Sequence, residues 1–243
     1  MALEILDFYN GLTGTIFFII SIIVGVKLIS KYFERKTRGL LFAGLTWLII
    51  CETYWPLAIS FIMVLLINET LSTEVYFFIG AVLIPLGILS WLIVFTDLVY
   101  KSKQKMILSI AAITGIIFEI FYLFFLFTNP SLIVVQVGPV DGEYLSFALY
   151  YFLGVLVVFL ITGLLFARHA LKSENLSLKL KGKLLIGAFV LFFIGIALDG
   201  LTPLNLLNPI TITLYRIIVI LAALLFYSGF FLPKWLEKLI LKK

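Results

Sequence analysis

The chain contains seven long, mostly apolar stretches, and these stretches decide what it can fold into. An α-helix needs about 20 apolar residues to cross the hydrocarbon core of a bilayer. Hydrophobic residues make up 63% of the sequence and charged residues only 13%, and a soluble protein of this size cannot bury so many apolar side chains. The sequence therefore predicts an all-α membrane protein, a seven-transmembrane helix bundle formed by one domain over residues 1–243. The predicted spans are 12–32, 39–66, 75–99, 106–128, 144–168, 184–206 and 210–232.

Basic residues lie almost only in alternate connections between these spans. Seventeen of the 18 Lys and Arg residues lie in the first, third and fifth connections, at the span ends that border these connections, and in the C-terminal tail. The N-terminus and the other connections contain none and carry acidic residues instead. Because short cytoplasmic loops are enriched in Lys and Arg, we expect a cell-membrane protein with its N-terminus outside and its C-terminus inside. The net charge of +5 is therefore a topology signal, and nucleic-acid binding is not expected.

Two segments outside the spans have recognisable patterns. Residues 233–243 place Trp235, Leu236 and Leu239 beside several lysines, which predicts a short basic amphipathic tail helix at the bilayer surface. The outer connection 129–143 contains a β-branched run before Gly138 and is expected to form a short strand or lid.

Four charged side chains lie well inside the predicted spans, away from their ends: Glu52, Glu119, Asp199 and Arg216. Such residues are costly in a membrane and are functional candidates by default. Asp199 and Arg216 lie at similar depth on consecutive antiparallel spans, so we expect an ion pair between them. Three carboxyls against one guanidinium leave at least one acid protonated, hydrated or part of a ligand site. The pair is either a structural clamp or part of a polar cavity that opens to the outside.

Two spans share the pattern of an acid followed four residues later by a proline. Glu52 precedes Pro56, and Asp199 precedes Pro203. Proline leaves a carbonyl unpaired one turn back and bends the helix, so we expect kinks at both positions and at Pro85 in the third span. The shared pattern suggests a parallel 3+1+3 repeat in which the fourth span connects two sets of three, and a chance match is the alternative.

Trp55 lies close to Glu52 and is a candidate wall of a ligand pocket, although packing is the commoner role of such a residue. The chain has one His and one Cys, so no metal site is expected. The seventh span has no Lys between Ile210 and Leu232, which excludes a retinal Schiff base, and no other cofactor is expected. No nucleophile–base pair or phosphate-binding loop is present, so the protein is not expected to be an enzyme.

Aromatic, acidic and proline positions run through four of the predicted spans. They are Trp47 with Glu52, Pro85 with Trp91, the Thr128-Asn129-Pro130 end of the fourth span, and Asp199 through Pro203. This pattern resembles the seven-helix sensor region at the N-terminus of archaeal and bacterial membrane histidine kinases. The resemblance implies an extracytoplasmic ligand pocket and a signal passed through the inner helix ends.

The chain departs from that family at two points. A His often follows the Thr-Asn-Pro stretch in the family, whereas Ser131 and Leu132 follow it here, which puts a His-dependent ligand contact in doubt. No kinase follows the last span, so the output would pass to a separate cytoplasmic partner or to neighbouring subunits of a homo-oligomer.

The leading hypothesis is a receptor-like sensor that binds a small molecule or lipid among the outer halves of the second, fourth, sixth and seventh spans. A small-solute transporter is the first alternative, because the 3+1+3 arrangement is similar to SWEET-type and other PQ-loop transporters, although the Pro-Gln dipeptide of the latter is absent. An accessory subunit of a membrane complex is the next alternative, and a lipid-modifying enzyme is the last.

Overall fold

The computed structural model describes residues 3–201, 206 and 208–241, which are almost entirely helical. The helices are α1 (Ile5–Arg35), α2 (Arg38–Ile50), α3 (Trp55–Ile67), α4 (Thr73–Ile79), α5 (Ile84–Leu98), α6 (Gln104–Thr128), α7 (Ser146–Leu171), α8 (Leu176–Leu201), α9 (Pro209–Phe230) and α10 (Lys234–Leu241). Short 3₁₀ turns cover Glu52–Tyr54, Lys101–Lys103 and Pro130–Leu132. The strands β1 (Val134–Gln136) and β2 (Gly142–Tyr144) form an antiparallel hairpin in which Val134 pairs with Tyr144.

Six helical units of the described chain are long and apolar enough to cross a membrane. They are α1, α4 with α5, α6 with the turn before it, α7, α8 and α9. The helices α2 and α3 pass the same test as a pair but are bent by 41° at a break. The predicted fold class, an all-α membrane protein, is confirmed in this coarser form.

Two of the predicted spans contain a break that the hydropathy pattern did not reveal. The span 39–66 is interrupted between α2 and α3, and the span 75–99 is interrupted between α4 and α5. Pro56 and Pro85 stand in the first turn of the helix that follows each break. Proline fits there because the first N–H groups of a helix have no helical acceptor. The prolines therefore start new helices, and Pro203, the third expected kink, lies outside the described residues.

Side chains from neighbouring helices satisfy the backbone groups that the α4–α5 break leaves unpaired. The Phe77 carbonyl loses its helical partner because the Ala81 N–H turns to the next carbonyl, and the Tyr122 hydroxyl donates to it at 2.8 Å. The Leu83 N–H donates to the two carboxyl oxygens of Glu52 at 3.1 and 3.0 Å. Such partners are needed because lipid offers none.

The membrane-length units form a closed ring from which α6 is excluded. Around the ring, α1 contacts α2 and α3, α2 contacts α5, α5 contacts α7, α7 contacts α8, α8 contacts α9, and α9 returns to α1. The helix α6 packs mainly on α5 and is largely exposed. The ring thus consists of two consecutive triplets of units with α6 as the connector between them.

Aromatic side chains fill the centre of the ring. The Trp47 ring lies 4.5 Å from the Phe226 ring, and the Trp91 ring lies 5.0 Å from the Phe189 ring. The indole Nε1 of Trp91 donates to the Thr162 hydroxyl at 2.7 Å. This packing joins the two triplets, because the rings come from α2, α5, α8 and α9.

The helix α10 covers residues 234–241 of the predicted tail. Its Trp235 and Leu239 are exposed, and Glu237 accepts a hydrogen bond from the Ser177 hydroxyl. The Lys181 ammonium donates to the Phe230 carbonyl at 3.1 Å, just before the tail begins. The start of α8 therefore holds the tail helix in place.

The Tyr122 hydroxyl gives a direct test of the break. We expect Tyr122→Phe to lower the free energy of unfolding by about 1–3 kcal/mol, because the buried Phe77 carbonyl is left without a donor. Tyr150→Phe is the matched control, since Tyr150 is 72% exposed on the neighbouring helix α7. Unfolding of the purified protein by SDS titration measures both variants, and equal losses in the two would contradict this account.

Candidate ligand-binding site

A cavity of about 290 Å³ lies between α1, the turn that separates α2 from α3, α7, α8, α9 and the hairpin. Its polar end is lined by Asn10, Tyr54, Asp141, Asp199 and Arg216. Its apolar wall comes chiefly from α7, through Leu149, Phe152, Leu153 and Leu156. A concave site with an apolar wall and a few convergent polar groups is typical of small-molecule binding.

Arg216 is the centre of the polar end. The residue is only 3% exposed, and its Nη1 donates to Asp199 Oδ2 at 2.5 Å and to the Tyr54 hydroxyl at 3.2 Å. Its Nη2 donates to Asn10 Oδ1 at 2.6 Å, and its guanidinium lies 4.7 Å from the centre of the Tyr54 ring. The predicted ion pair between Asp199 and Arg216 is therefore confirmed. The guanidinium also joins α1 and the α2–α3 turn to this pair.

Asn10 extends the cluster to the hairpin. Its Nδ2 donates to Asp141 Oδ2 at 2.7 Å, while the Gly142 N–H donates to Asp141 Oδ1 at 2.8 Å. Withdrawal from water raises the pKa of Asp141 to about 6; repulsion by Asp199 adds to the rise, and attraction to Arg216 opposes it. The amide of Asn10 thus places a second carboxyl within electrostatic range of Arg216.

The hairpin is held over this end of the bundle by side chains from the segment before α4 and from α4 itself. The Thr70 hydroxyl donates to the Pro139 carbonyl at 2.6 Å, and the Tyr76 hydroxyl donates to the Val140 carbonyl at 3.1 Å. The Thr73 hydroxyl donates to Gln136 Oε1 at 2.9 Å. The strand or lid expected in 129–143 is therefore confirmed as a two-stranded hairpin that covers one side of the cavity.

The other predicted site residues lie outside the cavity lining. Glu52 is 1% exposed and bonds the Leu83 N–H, although Tyr54, two residues later, lines the cavity. Trp55 faces α1, where its ring lies edge-on to Phe18 at 6.3 Å. Of the five candidates, the structure brings together Asp199 and Arg216.

Glu119 occupies a separate position on the connector helix α6. Its two carboxyl oxygens have no hydrogen-bond partner within the part of the chain that the structure describes. It lies close enough to Glu52 for the two carboxyls to interact electrostatically. The roles predicted for Glu52, Trp55 and Glu119 in ligand binding stay predictions.

Sequence reasoning missed the residues that complete the polar end: Asn10, Tyr54 and Asp141. Asn10 lies two residues before the predicted first span, but the helix α1 begins earlier, at Ile5, and includes it. It is the one amide side chain of α1, and this isolated polar group was the available signal. Nothing in the local pattern of the hairpin indicates that Asp141 would turn toward the bundle.

The polar groups of the lining differ in how accessible they are to a ligand. The Arg216 Nε is buried and has no acceptor among the described residues. Asp199 makes its bonds to described residues through Oδ2, and its side chain is 24% exposed. Among residues 3–201, 206 and 208–241, no group of His, Cys, Asp and Glu side chains could hold a metal ion.

Comparison with known proteins does not extend this picture. No protein-family model matches the chain, and no curated protein is significantly similar to it.

The Asp199–Arg216 pair is expected to be strongly coupled in stability. Asp199→Asn and Arg216→Leu should each lower the free energy of unfolding by about 3–5 kcal/mol, because each leaves a buried charge unpaired. The double variant should lose less than the sum of the two single losses. SDS titration of the purified variants gives all four values.

The exposed pair of Arg38 and Asp97 is the control, because its side chains are 57% and 28% exposed. Arg38→Leu should cost about 0–1 kcal/mol. Additive losses for Asp199 and Arg216 would mean that the bond between them contributes nothing to the fold.

Proposed function

We propose that this protein is a receptor-like sensor in the cell membrane that binds a small molecule or lipid in the cavity beside Arg216. The single observation that carries the proposal is the buried Arg216, with its cluster of polar partners, at one end of a partly enclosed, otherwise largely apolar cavity. The ligand's signal would pass to a separate cytoplasmic partner or to a second copy of the chain.

A cavity with this lining needs an occupant. Dry cavities in proteins are apolar, whereas a space bordered by charged groups holds water or a ligand. The Arg216 Nε has no acceptor among the described residues, and an unsatisfied buried donor is costly.

The helix α9 offers a physical route from the cavity to the opposite end of the bundle. It carries Arg216 near its start and Phe226 further along, where the Phe226 ring packs against Trp47 at 4.5 Å. Directly after α9, the Phe231 ring lies beneath the cationic groups of Lys31 and Arg35 of α1, at 4.9 and 4.7 Å. A shift of α9 on binding would therefore move α1 and the tail helix α10.

The proposal includes seven spans, with the N-terminus and the hairpin outside. The bent pair α2–α3 passes the length and hydropathy test as a unit, and counting it as one span makes the basic connections fall on one side. The excess of Lys and Arg on that side favours the cytoplasm. The cavity would then lie at the outer end of the bundle, where the hairpin covers one side of it.

Cysteine labelling tests this orientation. In a Cys51→Ser background, which removes the sole cysteine, Ser131→Cys should react with a membrane-impermeant maleimide on intact cells. Glu174→Cys should react only after the cells are permeabilised, and both positions are exposed in the structure. Labelling of Glu174→Cys but not Ser131→Cys on intact cells would reverse the proposed orientation.

A small-solute carrier is the second candidate, and the two triplets of the ring favour it. In each triplet the middle unit carries an acid that contacts the third unit: Glu52 bonds Leu83, and Asp199 bonds Arg216. Transporters built from repeats place their substrate between the repeats. This correspondence supports the proposed 3+1+3 repeat.

Blocking the cavity tests the proposed function and separates the two candidates. The purified full-length protein is screened with amines, carboxylates, amino acids, sugars and lysolipids. A ligand near saturation should raise Tm by about 5 °C or more. Leu153→Trp should abolish this rise by filling the cavity, whereas Val158→Trp, at a 39% exposed site on the same helix, should preserve it.

Counterflow in liposomes then distinguishes a sensor from a carrier. A sensor binds its ligand without flux, while a carrier moves it and loses that flux in Leu153→Trp. If no compound stabilises the wild type, or if Leu153→Trp binds as well as the wild type, the cavity is not a ligand site.

A further inference from the structure

We infer that the ligand of this cavity is an organic cation, an amine with an apolar body, held by the carboxyls of Asp141, Glu143 and Asp199. This inference rests on the proposed function and adds the chemical class of the ligand. It is drawn from the charge and shape of the lining rather than from any single residue.

The titratable lining carries more negative than positive charge. Three carboxyls, those of Asp141, Glu143 and Asp199, border the cavity together with the single guanidinium of Arg216. Asp141 lies within electrostatic range of both other carboxyls. With all four groups ionised, two negative charges remain uncompensated in a space that is partly shielded from water. A cation is the occupant that reduces their repulsion.

The bonding of the four groups points the same way. Arg216 has its Nη1 and Nη2 occupied by Asp199, Tyr54 and Asn10. The remaining nitrogen, Nε, is buried, so an anionic ligand would find no free guanidinium donor and would stand near the three carboxyls. In contrast, Asp199 makes its described bonds through Oδ2 alone, and no described residue bonds the carboxyl of the exposed Glu143. Both oxygens of Asp141 already accept hydrogen bonds, from Asn10 and Gly142. The accessible charged atoms are thus those of Asp199 and Glu143, which are acceptors for an ammonium group.

The remaining lining defines the rest of the ligand. Phe152 and Leu153 of α7, with Ile196 of α8, form an apolar wall beside the carboxyls. Tyr144 and Phe152 add aromatic rings 4.6 Å apart that can contact a cation or an apolar group. A ligand with an ammonium at one end and a short apolar or aromatic body at the other matches both parts of the cavity.

A matched series of small probes tests this inference. 2-Phenylethylamine, 2-phenylethanol and 3-phenylpropionate share a phenylalkyl body and carry positive, neutral and negative head groups. Binding to the full-length protein in zwitterionic-lipid nanodiscs is measured calorimetrically at about pH 7.5, above the pKa of about 6 of Asp141. The amine should bind about tenfold or more tightly than the alcohol and the carboxylate.

Neutralising single carboxyls assigns the effect to the lining. Glu143→Gln should weaken amine binding about threefold, in keeping with its exposed position, and Asp141→Asn should weaken it at least as much. Glu143→Gln should not change binding of the alcohol, because no described residue bonds the Glu143 carboxyl. Glu69→Gln is the control, because Glu69 is an exposed acid on another connection and does not line the cavity.

The outcomes separate the inference from the proposed function. Equal binding of the three probes, preference for the carboxylate, or failure of all three to bind would overturn the assignment of a cationic ligand. Equal weakening of amine binding by Glu69→Gln and Glu143→Gln would overturn it too, since a general surface-charge effect would then explain the preference. The proposed function is tested separately by the wider panel. It fails if no compound of that panel stabilises the wild type in a way that Leu153→Trp abolishes.

Discussion

A buried guanidinium in a bundle of membrane-length helices must find all its partners inside the protein, and the position of Arg216 governs the structure around it. Its bonds to Asp199, Tyr54 and Asn10 draw together α8, the turn between α2 and α3, and α1. Asn10 then bonds Asp141 and so brings in the hairpin. The elements that meet at Arg216 are also walls of the cavity, because the polar cluster holds their ends at a fixed separation while α7 supplies an apolar wall.

The same constraint explains why helix breaks occur where they do. A break in a membrane-length helix is tolerated only when protein groups take over the freed backbone bonds. Glu52 accepts from the Leu83 N–H, and Tyr122 donates to the Phe77 carbonyl. The buried position of Glu52 is thus explained by its bond to the start of α5, where the positive end of the helix dipole stabilises a carboxylate. Glu52 and Asp199 look equivalent in the sequence but have different roles. Glu52 bonds the backbone at a helix break, whereas Asp199 neutralises the Arg216 cation at the edge of a cavity.

How far the sequence predicts this structure depends on the range of the interactions involved. Hydropathy located the membrane-length helices because a bilayer imposes one length on all of them. The Asp199–Arg216 pair was predictable because α8 and α9 are consecutive and antiparallel. The contact of Asn10 with Arg216 depends on α1 closing the ring against α9, and no local pattern encodes that closure. Glu119 lies on the connector helix α6, outside the ring, and its role in ligand binding stays a prediction.

The two triplets differ in a way that bears on where a single ligand would bind. In the first, the acid of the middle unit is enclosed by the backbone of the next unit, and Glu52 is 1% exposed. In the second, the acid meets a side chain at the corresponding place, and Asp199 remains 24% exposed beside the cavity. A long side chain such as that of Arg216 can bond an acid on a neighbouring helix across a space, whereas a backbone N–H bonds the acid only where the two segments are in close contact. The side-chain partner of Asp199 therefore leaves this acid accessible from the cavity, whereas the backbone partner of Glu52 encloses it.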